Sequence, residues 1–429
     1  MHMFQHRRRR VALIAAATLA ATALAGCATG KSATDSNGSP TEVTVWHTYS
    51  DAHAEAFSKI VDDFNTSQQE VHVTAQPQPF TDFDSKVMQA VRNGNGPDII
   101  VSGPSLANQY IEAGLVTDLA PYVADPETGV PNYVEDIAEG RQAAATQWGG
   151  DAQYLYPLHS TGPVYFYNKT LFDQLGLTAP TTWSELETVS RTLHAQTGSP
   201  AFGFDDLTYG VMTIANQQGK DFVNADATAA TFDAPQYVKA TDWVKGLVDE
   251  GVFRLVGGDQ YFSNPFGASA VASYIGASAG YPFVEMAVDG KFEVGVAPLP
   301  QEGPQKWAPE WGGDLLLFKS DEQRQAAGFA FIKYFTSPEP LSTWDMALGA
   351  VPASAAAREV PAFQTFMEEN AAVRALAEQL PYVAPSNGGA GVSIAQSELG
   401  VAIEQAITGQ KPTATALADG VAAADAQMR

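Results

Sequence analysis

Cysteine is nearly absent: Cys27 is the only one in 429 residues, so the chain can build no intrachain disulfide framework. Thiol catalysis and Cys-ligated zinc would both depend on that one residue. Basic residues are scarce, with 24 Lys and Arg against 48 Asp and Glu and a net charge of −24. Such a field makes nucleic acid and anionic lipid poor partners. Beyond residue 26 no apolar run is long enough to span a bilayer. There is no His-Glu-x-x-His pair, no EF-hand loop and no repeat of solenoid or propeller period, so no metal and no cofactor is expected.

What is present begins with a leader. Arg7, Arg8, Arg9 and Arg10 precede the apolar run Val11 to Ala25, the layout of an export signal over residues 1–26. Leu24-Ala25-Gly26-Cys27 resembles a lipobox, which makes Cys27 the expected lipidation site and new N-terminus. Two acyl chains suffice for stable attachment at roughly 0.8 kcal/mol per buried methylene, so the expected location is the outer face of a cell membrane. Residues 27–41 are Gly, Ser, Thr, Ala and Asp-rich, as in a flexible tether. Loss of the leader would leave 20 basic against 48 acidic residues, a net −28. The remaining body, about 390 residues, exceeds the size of a single growing core and calls for two lobes.

Glu42 to Trp46 alternates as a strand, and Phe57, Ile60, Val61 and Phe64 follow at helical spacing behind Ser50 as N-cap. Val71 to Ala75, a helix with Phe83, Val87 and Val91, and the strand Ile99-Ile100-Val101 repeat the pattern. It resumes with Val164-Tyr165-Phe166-Tyr167 and a helix opened by the capping box Thr182-x-x-Glu185. Strands alternating with helices predict an α/β fold whose sheets are mainly parallel and flanked by helices. The closing third reads as helices.

In order along the chain stand Val45-Trp46-His47, Arg92-Asn93-Gly94-Asn95-Gly96-Pro97-Asp98-Ile99, Ile111-Glu112-Ala113-Gly114-Leu115, Pro163-Val164-Tyr165-Phe166-Tyr167-Asn168-Lys169, Pro180-Thr181-Thr182-Trp183-Ser184-Glu185-Leu186 and Trp311-Gly312-Gly313-Asp314. This succession resembles the family 1 extracellular solute-binding proteins of ABC importers. The resemblance implies a two-lobed periplasmic-binding-protein-like fold with a hinge crossed three times, near Pro157-Ser160, Pro300-Trp311 and Leu348-Pro352. Lobe one would be residues 42–156 plus 312–347, and lobe two residues 157–311 plus 348–429. It also implies a monomer that takes a small-molecule solute to ABC permease subunits in the membrane.

Within the family, Trp46-His47 and Pro157-Leu158-His159-Ser160-Thr161 are closest to glycerol-3-phosphate and glycerophosphodiester binders. The departures point elsewhere. Gly103-Pro104 replaces an acidic residue of those relatives. No arginine occurs between Arg374 and Arg429, where the loop Pro385-Ser386-Asn387-Gly388-Gly389 should carry their phosphate-facing one. Phosphate recognition relies on guanidinium forks, so a sugar or oligosaccharide becomes the expected ligand and a glycerophosphodiester the alternative.

Sugar sites combine aromatic faces with directional polar groups on loops at strand C-termini. The candidates on that ground are Trp46, His47 and Tyr49 after the first strand, and Phe80 and Asp82 after the second. His159, Ser160 and Thr161 follow at the first crossing, where they either face the cleft or stabilise the hinge backbone, the cleft being preferred. Asp205, Asp206, Tyr209 and Tyr274 are candidates in lobe two, with Trp311, Gly313, Asp314 and Asn387 in the late loops. Gly313 would allow close backbone approach to ligand. A secreted glycoside hydrolase, with two carboxylates flanking a bond, and a tethered adhesin are the competing readings; a binder without enzymatic activity is the expected one.

Overall fold

The computed structural model describes residues 39–79, 82–384 and 390–428, without the side chains of residues 51, 104, 105 and 390. The leader, Cys27, Phe80 and Asn387 lie outside the described residues. The expected tether is one residue too long, because Thr41 already opens β1 and pairs with Val71.

The first lobe is built on six strands in the order β10-β4-β9-β3-β1-β2. They are β1 (Thr41–His47), β2 (Val71–Pro77), β3 (Ile99–Ser102), β4 (Tyr156–Thr161), β9 (Trp311–Leu317) and β10 (Val351–Pro352). Side chains alternate between two buried faces. Val43, Val45, Ile99, Leu315 and Leu317 meet the helices Asp51–Ser67, Glu322–Phe335 and Pro338–Leu348 through Phe57, Phe64, Phe331, Phe335 and Trp344. Ile100 and Leu316 turn the other way, onto Val87, Ala107, Tyr110 and Phe318.

The second lobe carries the smaller sheet β6-β5-β7, with β5 at Pro163–Asn168, β6 at Ser273–Ala277 and β7 at Val294–Ala297. Val164, Phe166 and Tyr274 pack on one side, Tyr165 and Ile275 on the other. Two short strands, β8 (Ala308–Pro309) and β11 (Val383–Ala384), pair in parallel.

The expectation of mainly parallel sheets needs correction. Parallel pairing holds for β1 with β2 and with β3, where a helix returns the chain to the same edge. The pairs β3/β9, β4/β9, β10/β4, β5/β6 and β5/β7 are all antiparallel. Alternation is the same in either direction, and β9 and β10 re-enter the large sheet after excursions through the other lobe, so neither carries the helical return that sets a parallel pair.

Three passages join the sheets. The single residue Gly162 separates β4 from β5; residues 298–310 lead from β7 back to β9; and after β10 the chain returns to the small sheet, where the helix Ala371–Gln379 packs on β5 and β7.

Local chemistry follows the sequence closely. Thr182 Oγ1 accepts the Glu185 amide at 3.1 Å, while Glu185 Oε2 accepts the Thr181 amide at 2.7 Å, one residue from the ideal box. Ser50 occupies its N-cap position without a side-chain bond.

Candidate functional site

β4, β3 and β1 run in one direction and β9 in the other, so His47, Ser102, Thr161 and Trp311 end on one edge of the large sheet. Thr161 is paired with Trp311, and Ser102 with Asp314. Because β4 continues through Gly162 into β5, this edge faces the second lobe. Across it, Trp311 meets Tyr209 of the helix Leu207–Gln217 edge to face at 5.2 Å. A small pocket there is lined by Asp205, Asp206, Tyr209, Gly276, Trp183 and Trp311, among others, and no lysine or arginine lines it. Burial raises the Tyr209 pKa, and hydrogen bonding with Gln396 and Trp311 opposes the rise. A second contact across the same edge joins the helix Ala390–Ile407 to the helix Pro104–Glu112, which starts just after β3.

Of the expected ligand residues, the structure gathers Asp205, Asp206, Tyr209 and Trp311 into this pocket. Even here the carboxylates have local tasks. Asp206 Oδ1 caps its helix through the Tyr209 amide at 3.1 Å, and Asp205 Oδ1 accepts the Phe262 amide at 2.6 Å. Burial raises Asp205 to about 6 against the Phe262 hydrogen bond, with Asp206 adding to the rise. Gly276 is required beside it, since a Cβ there would overlap the Asp205 carboxylate.

The first-crossing residues correct the cleft reading. His159 and Ser160 are 5 % and 1 % exposed, and His159 Nδ1 and Ser160 Oγ are engaged inside the protein. Trp344 Nε1 donates to His159 Nδ1 at 3.3 Å, which places the imidazole proton on Nε2. Asp345 Oδ1 lies 3.4 Å from the same nitrogen. Burial, then the nearby Arg141 charge, lowers His159 to about 3, and burial alone raises Asp345 well above the carboxylate range. Ser160 Oγ donates to Glu310 Oε1, and Thr161 Oγ1 donates to the Trp311 carbonyl at 2.6 Å. All three side chains therefore bind other passages between the lobes: His159 the helix leading to β10, and Ser160 and Thr161 the entry to β9.

Asp314 is fully buried and ion-paired with Arg141, so it does not face ligand. Gly313 admits the His159 ring instead: a Cβ there would sit 2.6 Å from its Nε2 and Cε1. Gly312 likewise leaves space for the Arg141 guanidinium. Tyr274 is buried, stacked on Phe166 at 4.9 Å. Trp46 packs against the helix side of the sheet and donates to Gln76 Oε1 at 2.9 Å. His47 is buried against Phe57, its ring accepting the Tyr49 amide at 3.2 Å. Burial lowers it to about 4. Tyr49 packs on Trp344, and Asp82 is exposed at an N-cap position, with φ 62° and no side-chain capping bond.

Two residues absent from the sequence reading dominate the buried electrostatics. Arg141 donates through Nη1 to Glu310 Oε2 at 2.9 Å and through Nη2 to the Gly313 carbonyl at 3.0 Å, besides its bond to Asp314. Burial works against the Arg141 charge, but Asp314 and Glu310 outweigh it and raise its pKa. Two carboxylates share one guanidinium, and burial pushes Asp314 up to about 7, opposed by Arg141 and reinforced by Glu310. Gly276-Ala277-Ser278-Ala279-Gly280 fits a Gly-x-Ser-x-Gly pattern at the end of β6. Ser278, however, lacks the positive φ of a nucleophile elbow, and its hydroxyl is buried without a hydrogen-bonded base among the described residues.

A family profile described as bacterial extracellular solute-binding protein matches residues 50–340. The sn-glycerol-3-phosphate-binding periplasmic protein of Yersinia pestis is 25 % identical over 370 residues, covering 77 % of this chain and 78 % of that protein. The crystal structure of a cyclic alpha-maltosyl-1,6-maltose binding protein from Arthrobacter globiformis superposes with a TM-score of 0.79 at 25 % identity, covering 91 % and 99 % of the two chains. A glycerophosphocholine complex from Mycobacterium tuberculosis shares the fold with a TM-score of 0.75 at 18 % identity, covering 90 % and 99 %. The family match spans most of the body and the two-lobed architecture agrees with it, so the chain belongs to the bacterial extracellular solute-binding proteins.

Proposed function

We propose that this chain captures a neutral carbohydrate, a sugar or oligosaccharide, between its lobes and delivers it to an ABC permease without chemical turnover. The observation that carries the ligand class is the pocket at the sheet edge. It offers the Trp311 and Tyr209 rings and the Asp205 and Asp206 carboxylates, with no lysine or arginine in its lining. Aromatic faces suit the C–H side of a sugar ring and carboxylates accept from its hydroxyls, whereas a phosphate would meet only like charge. The Arg141 guanidinium, buried beside the entry to β9, already serves Glu310 and Asp314. The relation to a maltosyl-maltose binder supports the same reading.

Export by residues 1–26, attachment through Cys27 and a tether over residues 27–40 belong to this reading, as does a monomer whose hinge divides the lobe of the six-stranded sheet from the lobe of the three-stranded one. The Yersinia relative favours glycerol 3-phosphate, and the Mycobacterium tuberculosis complex a glycerophosphodiester, as the second reading. Calorimetry of the purified chain against maltooligosaccharides, monosaccharides, glycerol 3-phosphate and glycerophosphocholine decides between them. Micromolar binding of a saccharide is expected; binding of a phosphoester alone would refute the carbohydrate assignment, and binding of none would leave the adhesin reading ahead.

A further inference from the structure

Trp311 stands at the junction of the lobes, where its side chain meets Tyr209. Its position is imposed through its neighbours. Glu310, the preceding residue, is held by Ser160 and by Arg141 Nη1. The Trp311 carbonyl is held by Thr161. Two residues on, the Gly313 carbonyl accepts from Arg141 Nη2, and the Asp314 carboxylate binds the same nitrogen. Gly312 has no side chain, so the guanidinium lies directly against its backbone. One arginine, 1 % exposed, thus grips both sides of the tryptophan.

Arg141 is itself anchored at the third passage between the lobes. Its helix, Glu139–Thr146, begins at Ala138, whose amide donates to the Ala353 carbonyl at 3.1 Å, and the Ala353 amide donates to Leu158 of β4 at 3.1 Å. The arrangement is costly. It buries two carboxylates around one cation and leaves Arg141 Nε and Asp314 Oδ2 without hydrogen-bond partners among the described residues. Well-packed apolar residues usually equal or exceed such a buried ion cluster in stability, so stability alone does not account for it. What the cluster supplies is a bidentate, directional hold on one short segment, which the planar fork of arginine provides and the point charge of lysine does not.

We propose that Arg141 is a positioning residue of the ligand cleft: by gripping Glu310, Gly313 and Asp314 it sets the angle at which Trp311 meets Tyr209, and through that angle the affinity for ligand. The ligand-affinity half rests on the cleft assignment above; the placement of Trp311 does not. It acts at second hand, since the burial of Arg141 keeps it from ligand.

The test uses the full chain labelled with 5-fluorotryptophan. Seven tryptophans give seven ¹⁹F resonances, and Trp311→Phe identifies the one in question. Two variants are compared with wild type. Arg141→Lys retains the charge but not the fork. The combination Arg141→Met, Glu310→Gln and Asp314→Asn removes all three charges together, so no unpaired ion is left buried. In both, the Trp311 resonance is expected to move or broaden while the other six stay in place. Affinity for the tightest-binding probe among maltooligosaccharides, glycerol 3-phosphate and glycerophosphocholine is expected to fall at least tenfold. The neutral combination is expected to keep a cooperative thermal transition, which separates positioning from folding. A Trp311 resonance at its wild-type shift in either folded variant would overturn the proposal, as would unchanged affinity for a probe that wild type binds. If wild type binds no probe, the cleft assignment fails while the fluorine spectra still decide the placement of Trp311.

Discussion

His47 illustrates how a residue that looks like a ligand contact becomes a stability determinant. It ends β1, but its ring turns into the core, 4.6 Å from the Phe57 ring and 5.5 Å from the Tyr49 ring. Burial lowers its pKa to about 4, against roughly 6.5 in an unfolded chain. Between these values the unfolded state binds the proton and the folded state does not, so stability falls as pH drops from about 6.5 towards 4. At about 1.4 kcal/mol per pKa unit, His47 alone accounts for roughly 3 kcal/mol across that window. Asp314 and Asp345, whose pKa values are raised, act in the opposite direction, so the effect is isolated only by a difference. His47→Gln should be less stable than wild type at pH 7, through lost packing, and should close or reverse that gap by pH 4.5; urea unfolding at both pH values measures it. A gap that stays constant would show that His47 does not titrate in this way. Gly313 makes a second test at this scale. Gly313→Ala drives a methyl into the His159 ring, with an expected loss of about 1–3 kcal/mol, read from the urea midpoint.

Among the elements, the long return from β7 to β9 depends on two buried glutamines. Gln217 donates through Nε2 to the carbonyls of Pro300 and Trp307, each at 3.0 Å, while its Oε1 accepts from Trp183 Nε1 and the Glu302 amide. Gln379 joins the first and second passages, donating to the Pro163 carbonyl at 3.0 Å and accepting the Leu299 amide at 2.8 Å. Gln217→Leu should therefore cost about 2–4 kcal/mol, since it strands several buried polar groups. Amide exchange should rise selectively across residues 298–307, and uniform exchange there and elsewhere would mean that the glutamine is not a local anchor. Neither glutamine was legible in the sequence, because each lies on an amphipathic helix where an amide reads as solvated. The same holds for Arg141 in Glu139–Thr146, 169 residues before Glu310. The helices opening with Asp51 and Trp183 and the strands β1, β2, β3 and β5 were legible, since alternation, helical spacing and capping residues are local signals. Strand direction was not, as β9 shows. The sequence places a passage between the lobes at His159-Ser160-Thr161, and β4 runs through these residues to Gly162 before β5 begins. Its side chains were assigned to the wrong neighbour, because hydroxyls and an imidazole serve a ligand or a buried carboxylate equally well. The Gly312-Gly313 pair was the visible trace of that buried cluster, its missing side chains making room for Arg141 and His159.

At the scale of the whole molecule, charge and cleft together decide what the protein can hold. The chain carries −24, and none of the described residues lining its small pocket at the sheet edge is basic. A neutral sugar entering the pocket neither gains nor loses Coulomb energy, and its affinity should be nearly independent of salt. A phosphoester would approach against repulsion that reaches about 30 Å at 0.01 M ionic strength and only about 3 Å at 1 M, so its affinity should improve as salt is added. The two ligand classes therefore differ in sign as well as in magnitude. Calorimetry at 20 mM and 500 mM NaCl is expected to give dissociation constants within about twofold for a bound saccharide. Trp311→Ala should weaken that saccharide by roughly 2 kcal/mol or more, about thirtyfold, because it removes the aromatic face shared by both lobes. A phosphoester that binds tightly and loses affinity with salt would instead require a positive site, and would direct attention to the N-terminus of the helix Pro104–Glu112 as a place able to supply attraction for an anion.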